Sequence, residues 1–499
     1  MKLPKSYYNW LSLVGTFLAV FFFFLILLLF ALNSIFDLGA SYVGLILYIV
    51  LPGMMILGLI LIPIGMLLRM RKDKRRGLVE GKRLPFVDLN IKGHRNAFII
   101  VTLSTIILLF ATSIGSYEAF HYTESVEFCG TLCHKVMQPE YVAYQSSAHE
   151  RVACVECHVG AGTDWYVRSK LSGLYQVYAV LTKIYPKPIP TPIHNLRPAR
   201  ETCEECHWPE KFYARKMRVQ KSFLADEDNT EWDIILQMKI GPTYSAMGLD
   251  EGIHWHINPN TKIEYICDDE KRENIVWVKY TDKATGKYNI YWDEDNMPED
   301  SVIQYTPKRT MDCMDCHNRP SHNYQSPPDY MDQLLTSGKV SKKIPNIKAY
   351  AMEFLMGTYP TQDTAMMEIS NGLITYYKDD HSDFYVKNTD LVENAIKNIQ
   401  LAYSRNAFPE MGVTYDQYPN HIGHMETNGC FRCHNDRFKS KAGRTISRDC
   451  NICHSIVGQG RPDSMQMSTF YQTLEFKHPV DIDQAWKEYS CSECHLYLY

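Results

Sequence analysis

The chain has 499 residues, a formal net charge of -4 and 45% hydrophobic residues, too long for one ordinary domain. Its charge is divided: residues up to Glu118 hold twelve Lys and Arg against five Asp and Glu, a surplus of +7, so the remainder carries -11. An acidic remainder argues against nucleic-acid binding, which needs basic patches, and leaves solubility or a basic protein partner.

Three apolar runs come first, about Trp10 to Leu32, Tyr42 to Leu68 and Ala97 to Tyr117. Each is long enough to cross a bilayer as a helix. The segment between the second and third contains "RMRKDKRR", and the link between the first and second has no Lys or Arg. Basic loops stay in the cytoplasm. The expected topology is an N-terminus inside, three spans, and everything after Tyr117 outside the cytoplasmic (inner) membrane of a bacterium.

The exported part is rich in cysteine. It opens on "CGTLCH", where Cys129 and Cys133 stand one residue wider than in C-x-x-C-H and His134 follows. Six regular copies come after it: Cys154/Cys157/His158, Cys203/Cys206/His207, Cys313/Cys316/His317, Cys430/Cys433/His434, Cys450/Cys453/His454 and Cys491/Cys494/His495. Chance supplies about 0.02 copies in such a chain, and this pattern is the attachment sequence of c-type haem. Disulfide frameworks and zinc ribbons have no reason to place His after every second Cys. With the widened pair counted as the first site, the sites use fourteen of the fifteen cysteines and leave Cys267. The expectation is seven covalent haems.

Between the sites, "DWYVRSKLSGLYQVYAVLTKIY" reads as a helix and "PKPIPTPIHNLRP" as an extended connector. "KIEYICD", "IVWVKYT" and "KYNIYW" alternate and are rich in β-branched and aromatic residues, which predicts an antiparallel β insertion over about 228-306. After the fourth site, "CMDCHNRPSH", the stretches "NIKAYAMEFLMGTY" and "LVENAIKNIQLAYSRNAF" turn helical. Little regular structure is expected around the sites, because porphyrins supply apolar surface of their own. The expected organisation is residues 1-96 with two spans and a basic loop, 97-325 with the third span and four haems, and 326-499 as a helical three-haem module. The fold class is therefore mainly α with much irregular structure, three transmembrane helices, and a periplasmic multihaem domain carrying a small β insertion.

Each attachment histidine (His134, His158, His207, His317, His434, His454 and His495) is the expected proximal iron ligand. Eleven histidines lie outside these motifs, and His94 is cytoplasmic. That leaves His121, His149, His194, His254, His256, His322, His381, His421, His424 and His478 for the opposite positions.

"YQSSAHERVACVECHVGAG", "LRPARETCEECHWPEKF" and "CMDCHNRPSH" resemble the NapC/NirT (NrfH-like) family of membrane-anchored quinol dehydrogenases over about Ala97 to Tyr324, less the β insertion. The whole chain is similar to the larger seven-haem inner-membrane cytochromes of metal-respiring bacteria. The resemblance implies crossed ligands. His322 would serve the haem at Cys154/Cys157, His149 the haem at Cys313/Cys316, and His256 or His254 the third haem. His421, His424 and His478 are the candidates for the last three, by proximity in sequence. For the first haem the resemblance offers Met137 as the iron ligand in place of His134, with the other face open towards quinol, although the spacing here is H-x-x-M. It also implies a quinol site with Lys170 as a proton-handling group. The acid expected shortly after is replaced by Gln176 and Val177, and Asp164 or Glu140 are the substitutes.

The function so implied is oxidation of menaquinol, with electrons passed along the haem chain to a periplasmic cytochrome or reductase. Lipid, the quinone pool, and either further copies or other membrane subunits are the expected partners. A reductase with an open catalytic haem, or a conduit subunit without its own quinone site, are the alternatives. Intact-protein mass spectrometry is expected to count seven covalent haems; a count of six would remove Cys129 and Cys133 from the set.

Overall fold

The computed structural model describes residues 5–36, 50–76, 88–132, 134–160, 162–193, 196–208, 215–241, 252–469 and 472–496. The chain divides into two compact units, Met1–Gln138 and Pro139–Tyr499. The division falls beyond the third apolar run rather than before it, and 139 onward is one unit rather than a four-haem and a three-haem part.

The first unit is helical. Trp10–Phe36 and Leu51–Arg75 pack along each other through small residues. A Cβ on Gly15 would stand 2.6 Å from the Gly58 carbonyl oxygen, and one on Gly58 2.7 Å from the Ala19 nitrogen. Close approach of this kind is how helices associate where lipid removes the hydrophobic drive. Ser12 adds a hydrogen bond, its Oγ donating to the Ile62 carbonyl at 2.9 Å. Among the described residues two helices are long and apolar enough to span a membrane, Trp10–Leu29 and Leu51–Arg75. The sequence predicts three. The third run lies inside one continuous helix, Lys92–Glu124, several of whose side chains fall outside the description. The described part of the second span, Leu51–Arg75, carries on through the basic run, because Arg and Lys are good helix formers; residues 42–49 of the expected span lie outside the described residues.

The second unit joins attachment loops, two sheets and a helical module. The predicted helix after the second site spans Thr163–Thr182. Strands β1 (Arg215–Phe223) and β2 (Glu231–Lys239) pair with β8 (His454–Gly460) and β9 (Gln466–Met467) in the order β1-β2-β8-β9. Strands β3 (Thr261–Cys267), β4 (Ile275–Asp282), β5 (Tyr288–Asp293), β6 (Arg309–Thr310) and β7 (Phe438–Ser440) form a second sheet ordered β6-β3-β4-β5-β7. Both are antiparallel. The β region starts at Arg215, ahead of the predicted 228, and strands that follow the fifth and sixth sites complete both sheets. Arg215–Val219 is exposed throughout and mostly basic, which hides β1 from a reading based on alternation.

Helices Pro327–Thr336, Ile347–Leu355, Gln362–Asp379, Ser382–Lys387 and Thr389–Asn406 form a cysteine-free module. Its apolar residues keep helical spacing. Val392, Ala395, Ile396, Ile399 and Tyr403 line one face of the last helix, and Ala365, Ile369, Leu373 and Tyr377 one face of the third. These faces bury Met331, Ile347, Met352, Ile369 and Leu373 completely. The chain thus builds an ordinary hydrophobic core in a part that carries no attachment site. Helices stop at Asn406; the rest is 3₁₀ turns, short strands and a final five-residue helix, Cys491–His495.

A buried ion pair ties this module to β1. Lys348 Nζ donates to Asp332 Oδ1 and to the Phe223 carbonyl, each at 2.6 Å, and Asp332 also accepts from the Phe223 nitrogen. Burial pushes the Asp332 carboxyl up to about 6, against the pull of Lys348. Breaking such a pair strands a charge, so Lys348→Met is expected to destabilise the unit by about 3–5 kcal/mol. Adding Asp332→Leu should recover much of that loss, read by urea unfolding of the two variants.

Candidate haem sites

Each regular attachment sequence folds into one tight helical turn. Cys154–His158 and Cys491–His495 are short helices, while Cys313–Asp315, Gly429–Arg432 and Cys450–Ile452 are 3₁₀ turns. The turns are capped locally. Asp312 accepts from the Met314 nitrogen, Asp449 from the Asn451 nitrogen, and Ser490 with Glu493 makes a capping box. Where the turn closes, the histidine nitrogen donates to the first cysteine's carbonyl, at 2.7 Å for His207 and 2.8 Å for His317. The two thiols and the imidazole are thereby held on one short segment.

None of the fourteen described cysteines is in a disulfide. The thiols expected to carry haem are not equivalent, although the sequence reading treats the six regular copies alike. Cys157, Cys206, Cys450 and Cys494 are exposed, and the other described ones are half-buried. At the seventh site Cys491 is half-buried and Cys494 exposed, the same split as at Cys154/Cys157 and Cys203/Cys206.

Every one of these six imidazoles is faced by a second. Ring centroids lie 6.2 Å apart for His158 and His322, 6.0 Å for His207 and His149, and 6.3 Å for His317 and His254. They lie 5.8 Å apart for His434 and His256, 6.1 Å for His454 and His424, and 6.0 Å for His495 and His478. Two imidazoles bound at about 2 Å to opposite sides of one metal ion hold their centroids about 6 Å apart. The facing rings are also aimed. Nδ1 meets a main-chain carbonyl in His149 (Pro320), His254 (Ile240), His256 (Ile253), His322 (Glu140) and His478 (Val480), at 2.7–3.2 Å. A carbonyl only accepts, so Nδ1 carries the proton and Nε2 is left with its lone pair for a metal. Among the described residues no group of three or more His, Cys, Asp or Glu could hold a metal ion by itself. Two axial nitrogens with two adjacent thiols are what a c-type haem requires, since the porphyrin supplies the other four ligands.

The partners differ in part from those the resemblance implies. His322 faces His158, as implied. His149 faces His207 of the third site, not His317 of the fourth. The third site takes neither His254 nor His256, which face the fourth and fifth. The cause is local: both histidines lie in one 3₁₀ turn, Ile253–Ile257, where residues two apart point about 240° apart around the axis. They therefore reach two different sites. His424 faces the sixth site and stacks on Phe431 at 4.3 Å, and His478 faces the seventh. His421 faces no attachment histidine among the described residues. It is 4% exposed, its Nδ1 lies 3.2 Å from the Asp315 carbonyl, and burial, helped by Arg432, lowers its pKa to about 4.

The six sites are neighbours in sequence order. Burial raises the Cys157 thiol, and Cys206 of the next site adds to the effect. Cys203 and Cys313 hydrogen-bond to each other. Cys316 is raised by burial and then by Cys430, Cys453 by burial and then by Cys430. Cys491 is raised chiefly by burial, with Cys450 within reach.

At the widened first pair, Cys133 and the His134 side chain lie outside the described residues. Cys129 is on the helix Val126–Thr131 and Met137, half-buried, on the helix His134–Gln145. Lys170 sits on Thr163–Thr182 with Nζ 4.9 Å from the Tyr166 ring centroid. That helix exposes Val167, Leu171, Leu174, Tyr175, Tyr178 and Leu181 along one stripe. Asp164 is exposed in its first turn. Glu140 instead sits at His322: its carbonyl accepts from Nδ1 at 3.0 Å, its carboxylate Oε2 stands 3.1 Å from the same nitrogen off the hydrogen-bond axis, and Arg319 lies 3.7 Å from its Oε1. Sequence reading assigns Glu140 a different task because only tertiary structure brings residues 140 and 322 together.

Repeated attachment turns with opposed imidazoles, behind apolar N-terminal helices, define a membrane-anchored multihaem cytochrome c. The chain belongs to the NapC/NirT cytochrome c family, whose N-terminal-region model matches residues 92–188. It is 43% identical over 490 residues to the cytochrome c-type protein ImcH of Geobacter sulfurreducens, covering 98% of this chain and 95% of that one. It is 29% identical over 111 residues to the cytochrome c-type protein NrfH of Wolinella succinogenes, covering 22% of this chain and 62% of that one. No solved structure matches the chain.

Proposed function

We propose that this chain is a seven-haem quinol dehydrogenase of the bacterial inner membrane. It takes electrons from menaquinol and delivers them to a periplasmic cytochrome or reductase. When bound, a c-type haem supplies a one-electron redox centre at each attachment sequence. The observation that carries the reading is the run of six opposed imidazole pairs whose thiols are neighbours in sequence order. Six-coordinate irons suit electron transfer, whereas an open position suits substrate chemistry.

In this reading Cys129 and Cys133 hold the first haem, Met137 rather than His134 would ligate its iron while the other face stays open towards quinol, and the helix from Lys92 is the third span. The facing histidines are the distal ligands of the other six: His322, His149, His254, His256, His424 and His478, in site order. Cys491 and Cys494 hold the seventh haem, and electrons leave at the C-terminal haems. Lys170 takes part in quinol binding by presenting a cation on a helix whose apolar stripe and tyrosines suit a membrane surface. The similarity to the ImcH and NrfH cytochromes supports the assignment to respiratory electron transfer.

Two measurements test the site assignments. His254→Ala is expected to turn one low-spin haem into a high-spin, carbon monoxide-binding one. His149→Ala should do the same, and in a chain also carrying Cys203→Ala and Cys206→Ala it should add nothing further; an added signal there would return His149 to the fourth site.

For the quinol end, Lys170→Ala is expected to slow haem reduction by a menaquinol analogue at least tenfold while dithionite reduces every haem as before. Unchanged turnover would remove Lys170. A high-spin haem beyond the first in the unmodified protein would favour a reductase instead.

A further inference from the structure

Between the fourth and fifth sites the fold buries more positive charge than negative. Asp315, between Cys313 and Cys316, is 1% exposed. Its Oδ1 accepts from Tyr265 Oη at 2.6 Å, from Arg309 Nε at 2.6 Å and from Arg272 Nη1 at 3.1 Å. Arg309 also pairs with Asp312 at 3.0 Å. Arg272 and Arg309 thus balance Asp312 and Asp315.

Arg432 is left over. It lies between Cys430 and Cys433, is 8% exposed, and gives its N–H groups to main-chain carbonyls: Nε to Gly429 at 2.8 Å, Nη1 to Arg272 at 2.6 Å and Nη2 to Asp315 at 2.7 Å. No carboxylate pairs with it among the described residues; the other carboxyl within its field is Glu273, which is exposed. The imidazole beside it, His421, is held by its Nδ1 to the same Asp315 carbonyl. A guanidinium stays charged under all ordinary conditions and, out of water, is weakly screened. Through the Asp315 carbonyl it touches the fourth attachment loop, and by its place in the chain it belongs to the fifth.

We propose that Arg432 is a potential-setting residue, the fixed cation that raises the reduction potential of the haems at Cys313/Cys316 and Cys430/Cys433. A buried positive charge stabilises the reduced state of any redox centre beside it, because reduction adds a negative charge there. This pair of sites is then where electrons rest midway along the chain, drawn away from the membrane end and available to the two sites that follow, at Cys450/Cys453 and Cys491/Cys494. The inference rests on the proposed haem chain. It concerns how the sites differ in potential, which ligand identity alone leaves equal, since both sites have two opposed imidazoles.

The test is potentiometric titration of the full-length protein in detergent, followed by haem absorbance, with low-spin signals checked by electron paramagnetic resonance. Arg432→Gln is expected to move one or two haem potentials downward and leave the others in place. Arg432→Lys, which keeps the charge, should restore them. Asp315→Asn, which removes the opposing charge, should move the same potentials upward. Potentials unchanged in Arg432→Gln would overturn the proposal, as would equal shifts in the Gln and Lys variants, since packing rather than charge would then be the cause. If Arg432→Gln does not accumulate with its haems, the Asp315→Asn titration decides, and the absence of an upward shift counts against it. Failure of the haem-chain reading is seen separately, in the haem count and spin state of the unmodified protein.

Discussion

The second unit depends on imidazoles meeting in pairs across a gap that fits one metal ion. In each pair, one ring sits on an attachment turn and the other comes from elsewhere in the chain. His322 lies 164 residues after His158, and His256 lies 178 residues before His434. A ligand bond of this kind is a long-range tie, and closing long loops removes more entropy from the unfolded chain than closing short ones. Short turns with few apolar residues can therefore be held in place without a large core beneath them.

The same constraint explains the two sheets. Both begin between the third and fourth attachment sites, and both are completed by strands from nearer the end of the chain. His454 is at once the attachment histidine of the sixth site and the first residue of β8, registered against Met238 of β2. His256 sits just ahead of β3, and its partner His434 just ahead of β7, the last strand of the same sheet. Strand pairing and ring pairing fix the same segments against each other, so an error in one would misplace the other.

The cysteine-free helical module has another logic. It has a core of its own, and it meets the sheet through the Lys348–Asp332 pair and through Asn229, whose Nδ2 donates to the Ile344 carbonyl at 2.8 Å. A buried ion pair is weak as a source of stability but specific as to geometry. Stability in this part comes from apolar burial, and the polar contacts choose how the module sits on β1.

Some of this was determined by the sequence alone. Two thiols three apart with a histidine behind them form their site within one helical turn, so local spacing suffices to identify six attachment sites and to place them in order. The apolar runs, the helices of the haem-free module and strands β3, β4 and β5 are equally local, since each depends on a period of 3.6 or 2 within one segment. Tertiary structure decided which histidine faces which: His149 against His207, His254 and His256 divided between two sites, and His421 set apart. It also decided that β1 begins at Arg215, that Glu140 stands at His322, and that Arg432 is buried beside Asp315. A distal ligand needs only to arrive at the right distance, from any direction and any position in the chain, and nothing in the residues beside it records where that meeting takes place.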